Sequence, residues 1–248
     1  MRAVFCILVY DIAIDMASLV LVRHGESRWN LSNRFTGWID VPLSENGIRE
    51  ARACAKHCDA YDFSAAYTSK LERAHLTLFL LLANQNRTGI VQHEHDAKYY
   101  RWTKHSNGYG TSEIPVFEST SLNERYYGAL QGLDKQQAVE RYGAAKVLAW
   151  RRGYHARPPG GGESLEDTLN RAQPFLVKQI LPRVRKGEDV LVVGHGNTLR
   201  TAIKYLEGIS DEDIAFLDLP HAHPLVYTFV GGKWKRTSGD FTFNRPLR

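Results

Sequence analysis

The chain predicts an α/β fold of three layers, with a mostly parallel central sheet flanked by helices. Two observations predict it. Strand-like and helix-like patterns alternate along the 248 residues, with no internal repeat and no long Gly, Pro or Ser tract. The most apolar strand-like runs, Leu19–Val22 and Asp189–Val193, are nearly continuous rather than alternating, as strands covered on both faces are. A chain of this length buries one large core or at most two modest domains.

The elements read in order as follows. Leu19–Val22 is the first strand. Ser44 can cap a helix running through Cys58, with Ile48, Ala51 and Ala55 on one side. Ala65–Tyr67 is the next strand, and Leu71 to Leu82 a leucine-rich helix. Gln137–Tyr142 and Lys146–Arg152 read as short helices. Ser164 to Arg185 is a longer helical stretch: Ser164 and Asp167 form a weak capping box, and Pro174 and Pro182 kink or split it. Asp189–Val193 is the clearest buried strand and runs through Gly194-His195-Gly196 into a helix from Thr198 to Leu206. Leu225–Val230 and Trp234–Thr237 suggest a final hairpin about Gly231-Gly232.

Composition narrows the function. The residues are 43% hydrophobic and 24% charged, with a formal net charge of +5. The basic residues form no Lys/Arg block of the kind that marks a nucleic-acid tail, and their scatter suits convergence on an anionic small molecule. Three cysteines, Cys6, Cys54 and Cys58, are a poor disulfide framework and suit a reducing compartment. Cys54 and Cys58 lie four apart and could form a two-point metal site, but they read as small apolar residues on a helix face. The apolar run Ala3–Tyr10 is too short to span a bilayer and is followed by Asp11 and Asp15 with no convincing cleavage site. Residues 1–17 therefore read as an N-terminal extension and 18–248 as a single domain. The expected location is cytoplasmic, with no membrane or nucleic-acid partner.

Ligands in open α/β sheets gather at the carboxyl ends of strands. Two of the most apolar strands here each end in a glycine-flanked histidine: Arg23-His24-Gly25-Glu26 and Gly194-His195-Gly196-Asn197. Flanking glycines let a bulky anion approach the backbone, and free N–H groups at a following helix start favour negative charge. A histidine pair also suits zinc, but zinc wants a third ligand and Arg23 would repel a cation, so no metal is expected.

The run Leu21-Val22-Arg23-His24-Gly25-Glu26-Ser27-x-Trp29-Asn30, with Asn33-Arg34-Phe35-Thr36-Gly37-Trp38 and Leu43-Ser44-x-x-Gly47, resembles the opening of the cofactor-dependent phosphoglycerate mutases of the histidine phosphatase superfamily. Arg-His-Gly marks only the superfamily; the continuation through Asn33–Trp38 is more specific to the mutase branch. Further matches keep the order: Tyr67-Thr68-Ser69-x-Leu71-x-Arg73-Ala74, Leu122 through Leu133, Trp150-Arg151-Arg152-Gly153, Gly162-Glu163-Ser164-Leu165 and Gly194 through Arg200. Together they span about 18 to 229.

The resemblance implies that His24 is the nucleophile that carries a phosphoryl group, surrounded by Arg23, Arg73 and His195. It implies Glu124 as general acid and base, with a pKa expected to be raised by neighbouring phosphates. Asn30 and the backbone of Gly196 would add neutral donors. Ser27, Thr36, Gly37, Arg125, Tyr127, Lys135, Arg151, Arg152 and Asn197 would surround the substrate. The implied reaction is the metal-free interconversion of 3-phosphoglycerate and 2-phosphoglycerate, in glycolysis and gluconeogenesis, primed by 2,3-bisphosphoglycerate in a homodimer or homotetramer. The alternatives are a phosphatase of the same superfamily acting on a small phosphate monoester, and a non-catalytic phospho-ligand binder.

Two stretches depart from that pattern. Residues from about 86 to 120 look like an insertion containing His93, His95, His105, Tyr99, Tyr100 and Trp102; His93-x-His95 beside Glu94 and Asp96 could bind a metal, though a surface insertion is the preferred reading. His221-Ala222-His223-Pro224 stands where the resemblance leads one to expect Thr-Gly-x-Pro, which bears on closure of the site and on the balance between mutase and phosphatase activity.

Overall fold

A computed structural model describes residues 17–92, 108 and 110–244. Cys6 and most of the N-terminal extension lie outside the described residues, as do His93, His95, His105, Tyr99, Tyr100 and Trp102. The main sheet holds seven strands: β1 (Ser18–Arg23), β2 (Phe63–Thr68), β3 (Thr88–Gln92), β4 (Glu113–Glu118), β5 (Asp189–Gly194), β7 (Pro224–Val230) and β8 (Lys233–Ser238), in the order β3-β4-β2-β5-β1-β7-β8. The first five in that order are parallel, and β7 and β8 join antiparallel. A separate antiparallel pair joins β6 (Leu217–Asp218) to β9 (Thr242–Phe243).

Period-two alternation of the strands builds the two outer layers. Leu19, Leu21, Val190, Val192, Leu225 and Tyr227 pack on one face with Leu176, Ile180, Leu181, Leu199 and Ile203. Val20, Val22, Leu191, Val193 and Val226 pack on the other with Cys54, Ala55, Cys58, Ala74, Leu78 and Leu81. That second layer comprises two helices. The first is α2 (Glu45–Cys58), where Ser44 accepts the Gly47 N–H; the second is α3 (Glu72–Asn84). Both described cysteines are thus buried free thiols, as the apolar reading expects, and the Cys54 pKa is pushed up by a hydrogen bond with Cys58 and by burial.

The first layer is a helix interrupted as its prolines foretell. Ser164 and Asp167 exchange both bonds of a capping box at the start of α6 (Leu165–Phe175). Beyond Pro174 the chain passes through a π-turn, Leu176–Ile180, into α7 (Leu181–Arg185), with Pro182 in its first turn. α8 (Gly196–Glu207) follows β5 and ends at Gly208 in a left-handed conformation. A third, smaller cluster of Phe35, Leu130, Ala138 and Val147 supports α4 (Lys135–Tyr142) and α5 (Ala144–Arg152), while α1 (Arg28–Leu31) is a single short turn with no buried residue.

One sequence expectation needs narrowing. The stretch 86–120 supplies two strands of the main sheet at its ends, and β4 lies inside that sheet with Ile114 and Val116 fully buried. Pro115, in the middle of β4, is the reason the run reads poorly as a strand, because proline cannot donate to a ladder.

Candidate active site

The site starts from one register. β1 and β5 are parallel neighbours with Arg23 opposite Gly194, so the next residues, His24 and His195, leave the sheet side by side. The His24 N–H donates to the Gly194 carbonyl (3.0 Å) and the two imidazole centroids stand 5.0 Å apart. Gly25 is required here, because a Cβ would come within 2.3 Å of the Gly47 carbonyl oxygen.

His24 is buried, and its Nδ1 lies 2.7 Å from the Gly25 carbonyl. A carbonyl only accepts, so Nδ1 carries the proton and Nε2 keeps its lone pair. Burial first, then Arg73 and Arg23, hold the His24 pKa well below its ordinary value of 6.5. The ring is therefore neutral at neutral pH, with its nucleophilic Nε2 lone pair unprotonated. His195 is neutral for the same reasons, burial followed by Arg73 and His24; its Nε2 bonds Ser69 Oγ (2.7 Å), a residue presented by the end of β2.

Arg73, in the first turn of α3, is held on three sides. Its Nε donates to His24 Nε2 (3.3 Å), Nη2 to the Gly37 carbonyl (2.8 Å) and Nη1 to the Ile39 carbonyl (3.1 Å). Burial lowers its pKa to about 10, which still leaves it charged. Gly37 sits at φ +55°, and a Cβ there would meet Gln131 Oε1 at 2.1 Å, so the loop that grips Arg73 depends on this glycine. Arg23 donates Nη1 to the Leu219 carbonyl, while its Nε is buried without a hydrogen-bond partner among the described residues.

Glu124 follows a short 3-10 turn, Thr120–Leu122. Its Oε1 accepts from the Arg125 N–H (2.7 Å), the Asn197 N–H (3.2 Å) and Asn197 Nδ2 (2.8 Å). Its Oε2 lies 3.8 Å from where a Gly196 Cβ would project, on the same side as Arg23 Nε at 3.6 Å. Gly196 thus keeps open the gap between a carboxylate and a guanidinium.

These groups line a cavity of about 340 Å³. Its described wall carries seven cationic side chains (Arg23, Arg34, Arg73, Lys135, Arg151, Arg152 and Arg200) against two carboxylates, Glu124 and Asp218. Such a surplus attracts anions, whose binding relieves the repulsion among the cations. Lys135, the first residue of α4, has its pKa lowered to about 8 by burial and then by Arg151 and Arg23. Arg200 falls to about 10, chiefly through burial and then Arg152. Arg152 Nη1 and Arg200 Nε are further buried donors without partners among the described residues.

Of the residues singled out from the sequence, Arg23, His24, Asn30, Thr36, Gly37, Arg73, Glu124, Tyr127, Lys135, Arg151, Arg152, Gly196 and Asn197 line this cavity, and His195 backs onto His24. Ser27 and Arg125 do not reach its wall. Ser27 is the buried cap of α1, trading hydrogen bonds with Asn30. The Arg125 guanidinium donates to the carbonyls of Trp150 (2.6 Å) and Arg151 (2.7 Å), so it braces the end of α5 that presents the two arginines. Arg34, Arg200, Asp218 and His221 line the cavity but were given no role from sequence. Arg200 had a readable signal, since it sits three residues after Asn197 on a helix and shares its face.

The family model for the histidine phosphatase superfamily (branch 1) matches residues 19–98 and 103–238. The chain belongs to this superfamily. Curated relatives named 2,3-bisphosphoglycerate-dependent phosphoglycerate mutase include one from Methanococcus vannielii, 46% identical over 86% of this chain and 90% of its own. Another, from Gloeobacter violaceus, is 42% identical over 86% and 93%, and one from Chlamydia muridarum 38% over 91% and 100%. Among solved structures, Bacillus stearothermophilus YhfR aligns with a TM-score of 0.69 at 24% identity, covering 89% of this chain and 95% of its own. A mycobacterial glucosyl-3-phosphoglycerate phosphatase aligns at 0.69 and 22% identity, covering 93% and 99%. These structures share the superfamily fold, with its mostly parallel sheet flanked by helices. The family match runs through both β3 and β4, leaving only 99–102 unmatched within the stretch read as an insertion.

Proposed function

We propose that this chain interconverts 3-phosphoglycerate and 2-phosphoglycerate, using 2,3-bisphosphoglycerate as primer and His24 as phosphoryl carrier. The observation that carries the reading is a neutral imidazole, its Nε2 lone pair facing Arg73, in the wall of a cavity with a large surplus of fixed cations, in a chain whose mutase-named relatives cover most of it. A doubly phosphorylated carboxylic acid suits that wall: its charge matches the cationic surplus, and its oxygens would satisfy the orphaned N–H groups of Arg23, Arg152 and Arg200. A volume of about 340 Å³ suits a small ligand.

Each residue then has a task. His24 Nε2 attacks phosphorus; the N–P bond forms as the P–O bond to the leaving alkoxide breaks. Arg23 and Arg73 hold the equatorial oxygens, whose charge peaks in the transition state. Glu124 gives its proton to the departing alkoxide through the oxygen that faces Arg23 and Gly196, and later takes one from the hydroxyl that receives the phosphoryl group. Arg151, Arg152, Arg200 and Lys135 hold the remaining anionic groups, so that a bisphosphorylated species stays bound long enough to reorient. The reaction needs no metal on this reading. The reading carries with it a place in glycolysis and gluconeogenesis, a cytoplasmic location and a homodimeric or homotetrameric assembly.

The test supplies 3-phosphoglycerate with a trace of 2,3-bisphosphoglycerate. 2-Phosphoglycerate is expected, together with one acid-labile phosphate on the chain that His24→Ala abolishes. Free phosphate without 2-phosphoglycerate would make the protein a phosphatase instead.

A further inference from the structure

The loop between β6 and β7 brings a third imidazole to the reaction site. The His221 ring stands 5.9 Å from that of His24, centroid to centroid, tilted by 33°, and it lines the same cavity. Its Nε2 is buried and has no hydrogen-bond partner among the described residues. The loop is clamped to the nucleophile's neighbour at two points: Arg23 Nη1 donates to the Leu219 carbonyl, and the Ala222 N–H donates to the Arg23 carbonyl (2.8 Å). Ala222 holds φ +44°, a left-handed conformation unfavourable to a residue with a Cβ. The chain therefore accepts local strain at the residue that follows His221, as functional sites often do. A buried polar nitrogen with nothing to bind costs free energy unless a ligand completes it.

We propose that His221 is a further catalytic residue, donating its Nε2–H to a non-bridging oxygen of the phosphoryl group as that group passes to and from His24. This rests on the reading of His24 as phosphoryl carrier. Arg23 and Arg73 meet the group as charges, and His221 adds a neutral, directional donor, since burial, Arg23 and Lys135 keep its ring unprotonated, with a pKa of about 3. Thr at this position, which the resemblance leads one to expect, is too short to occupy the same place. The other histidine of the loop, His223, is solvent-exposed and takes no part.

The test uses inorganic vanadate, which mimics the phosphoryl group in flight, and phosphorylation of the chain by 2,3-bisphosphoglycerate followed by rapid quench. His221→Phe, which keeps a ring and loses the donor, is expected to bind vanadate and to label roughly tenfold to a hundredfold more weakly and slowly. His221→Gln, which returns an N–H near the same point, should recover much of the loss. In the wild-type protein the His221 Nε2–H proton resonance should shift on adding vanadate, a readout independent of any variant's folding. Unchanged labelling and vanadate affinity in His221→Phe, or an unmoved resonance, overturns the proposal while leaving the phosphoryl-carrier reading intact. A wild-type chain that takes no label overturns both.

Discussion

The two ends of the cavity are built differently. At the His24 end most groups are held by protein: both ring nitrogens of His24 have partners, and Arg73 is tied by three hydrogen bonds, two of them to backbone carbonyls, while Arg23 Nε is left for a ligand. At the far end Arg151, Arg152, Lys135 and Arg200 crowd together with Asp218 as their nearby carboxylate, its Oδ1 3.9 and 3.7 Å from Arg152 and Arg200. Rigid, pre-aimed groups lower a barrier because they pay no reorganisation as charge develops. Loosely neutralised cations bind an anion in any of several poses, which is what a reaction that must turn its bisphosphorylated intermediate around requires. The difference teaches that one end is made for the transition state and the other for retention.

That contrast breaks most visibly in kinetics. Arg73→Gln should lower kcat by about two to three orders of magnitude while KM moves little, since its contribution is greatest as charge builds on the phosphoryl oxygens. Arg152→Ala should do the reverse, raising KM for 3-phosphoglycerate roughly tenfold at nearly constant kcat, with more free phosphate released per turnover. Steady-state rates with 2-phosphoglycerate and phosphate both measured decide it; two variants that move the same parameter would erase the distinction between the ends.

Stability against pH sharpens the same contrast with a smaller effect. His24 and His195 are fully buried and their pKa values lie well below 6.5. Below pH 6.5 the unfolded chain binds protons at these rings that the folded chain refuses, so the unfolded state holds more protons and stability falls as pH drops. Each ring contributes up to about 1.4 kcal/mol per pH unit in that window. Lys135 adds no slope there, because its lowered value of about 8 acts only on the alkaline side. Urea unfolding of the wild type and of His195→Asn at pH 7 and pH 5 should show the variant losing about one proton's worth of slope. Equal slopes would mean that His195 is protonated in the folded protein.

The same division explains what could be read from the sequence. β1 and β5 announce themselves as unbroken apolar runs, and the histidines that end them follow from local spacing, so the His24 end was legible residue by residue. The capping box of α6 and the break after Pro174 were legible for the same reason, since their chemistry is local. β4 was not, because Pro115 contradicts the strand pattern that tertiary pairing imposes on it. The far end was only half legible: Arg151 and Arg152 stood out and Arg200 could be read from its helical spacing to Asn197, whereas Arg34 is brought in by loop geometry that a linear pattern does not display. Ser27 and Arg125 sit inside the right motifs yet serve them from behind, one as a cap and the other as a brace on carbonyls. A motif records that a residue matters near a site; only burial and bonding say which side of the wall it occupies.

The loop that spans the two ends offers the smallest and most discriminating prediction. Leu219 and Ala222 grip Arg23 at the His24 end, while Asp218, just before them, faces Arg152 and Arg200. Ala222 pays about 1 to 2 kcal/mol for its left-handed backbone, a cost glycine escapes, though glycine also gains freedom in the unfolded chain. Ala222→Gly should therefore stabilise the protein by about 0.5 to 1 kcal/mol, read as a raised urea midpoint at an unchanged slope. The rate of His24 phosphorylation should stay within about twofold, because the two bonds to Arg23 and the placement of His221 depend on backbone direction and not on the Ala222 methyl. A midpoint that falls instead would mean that the methyl's packing outweighs the strain, since Ala222 sits against the α2–α3 face of the core.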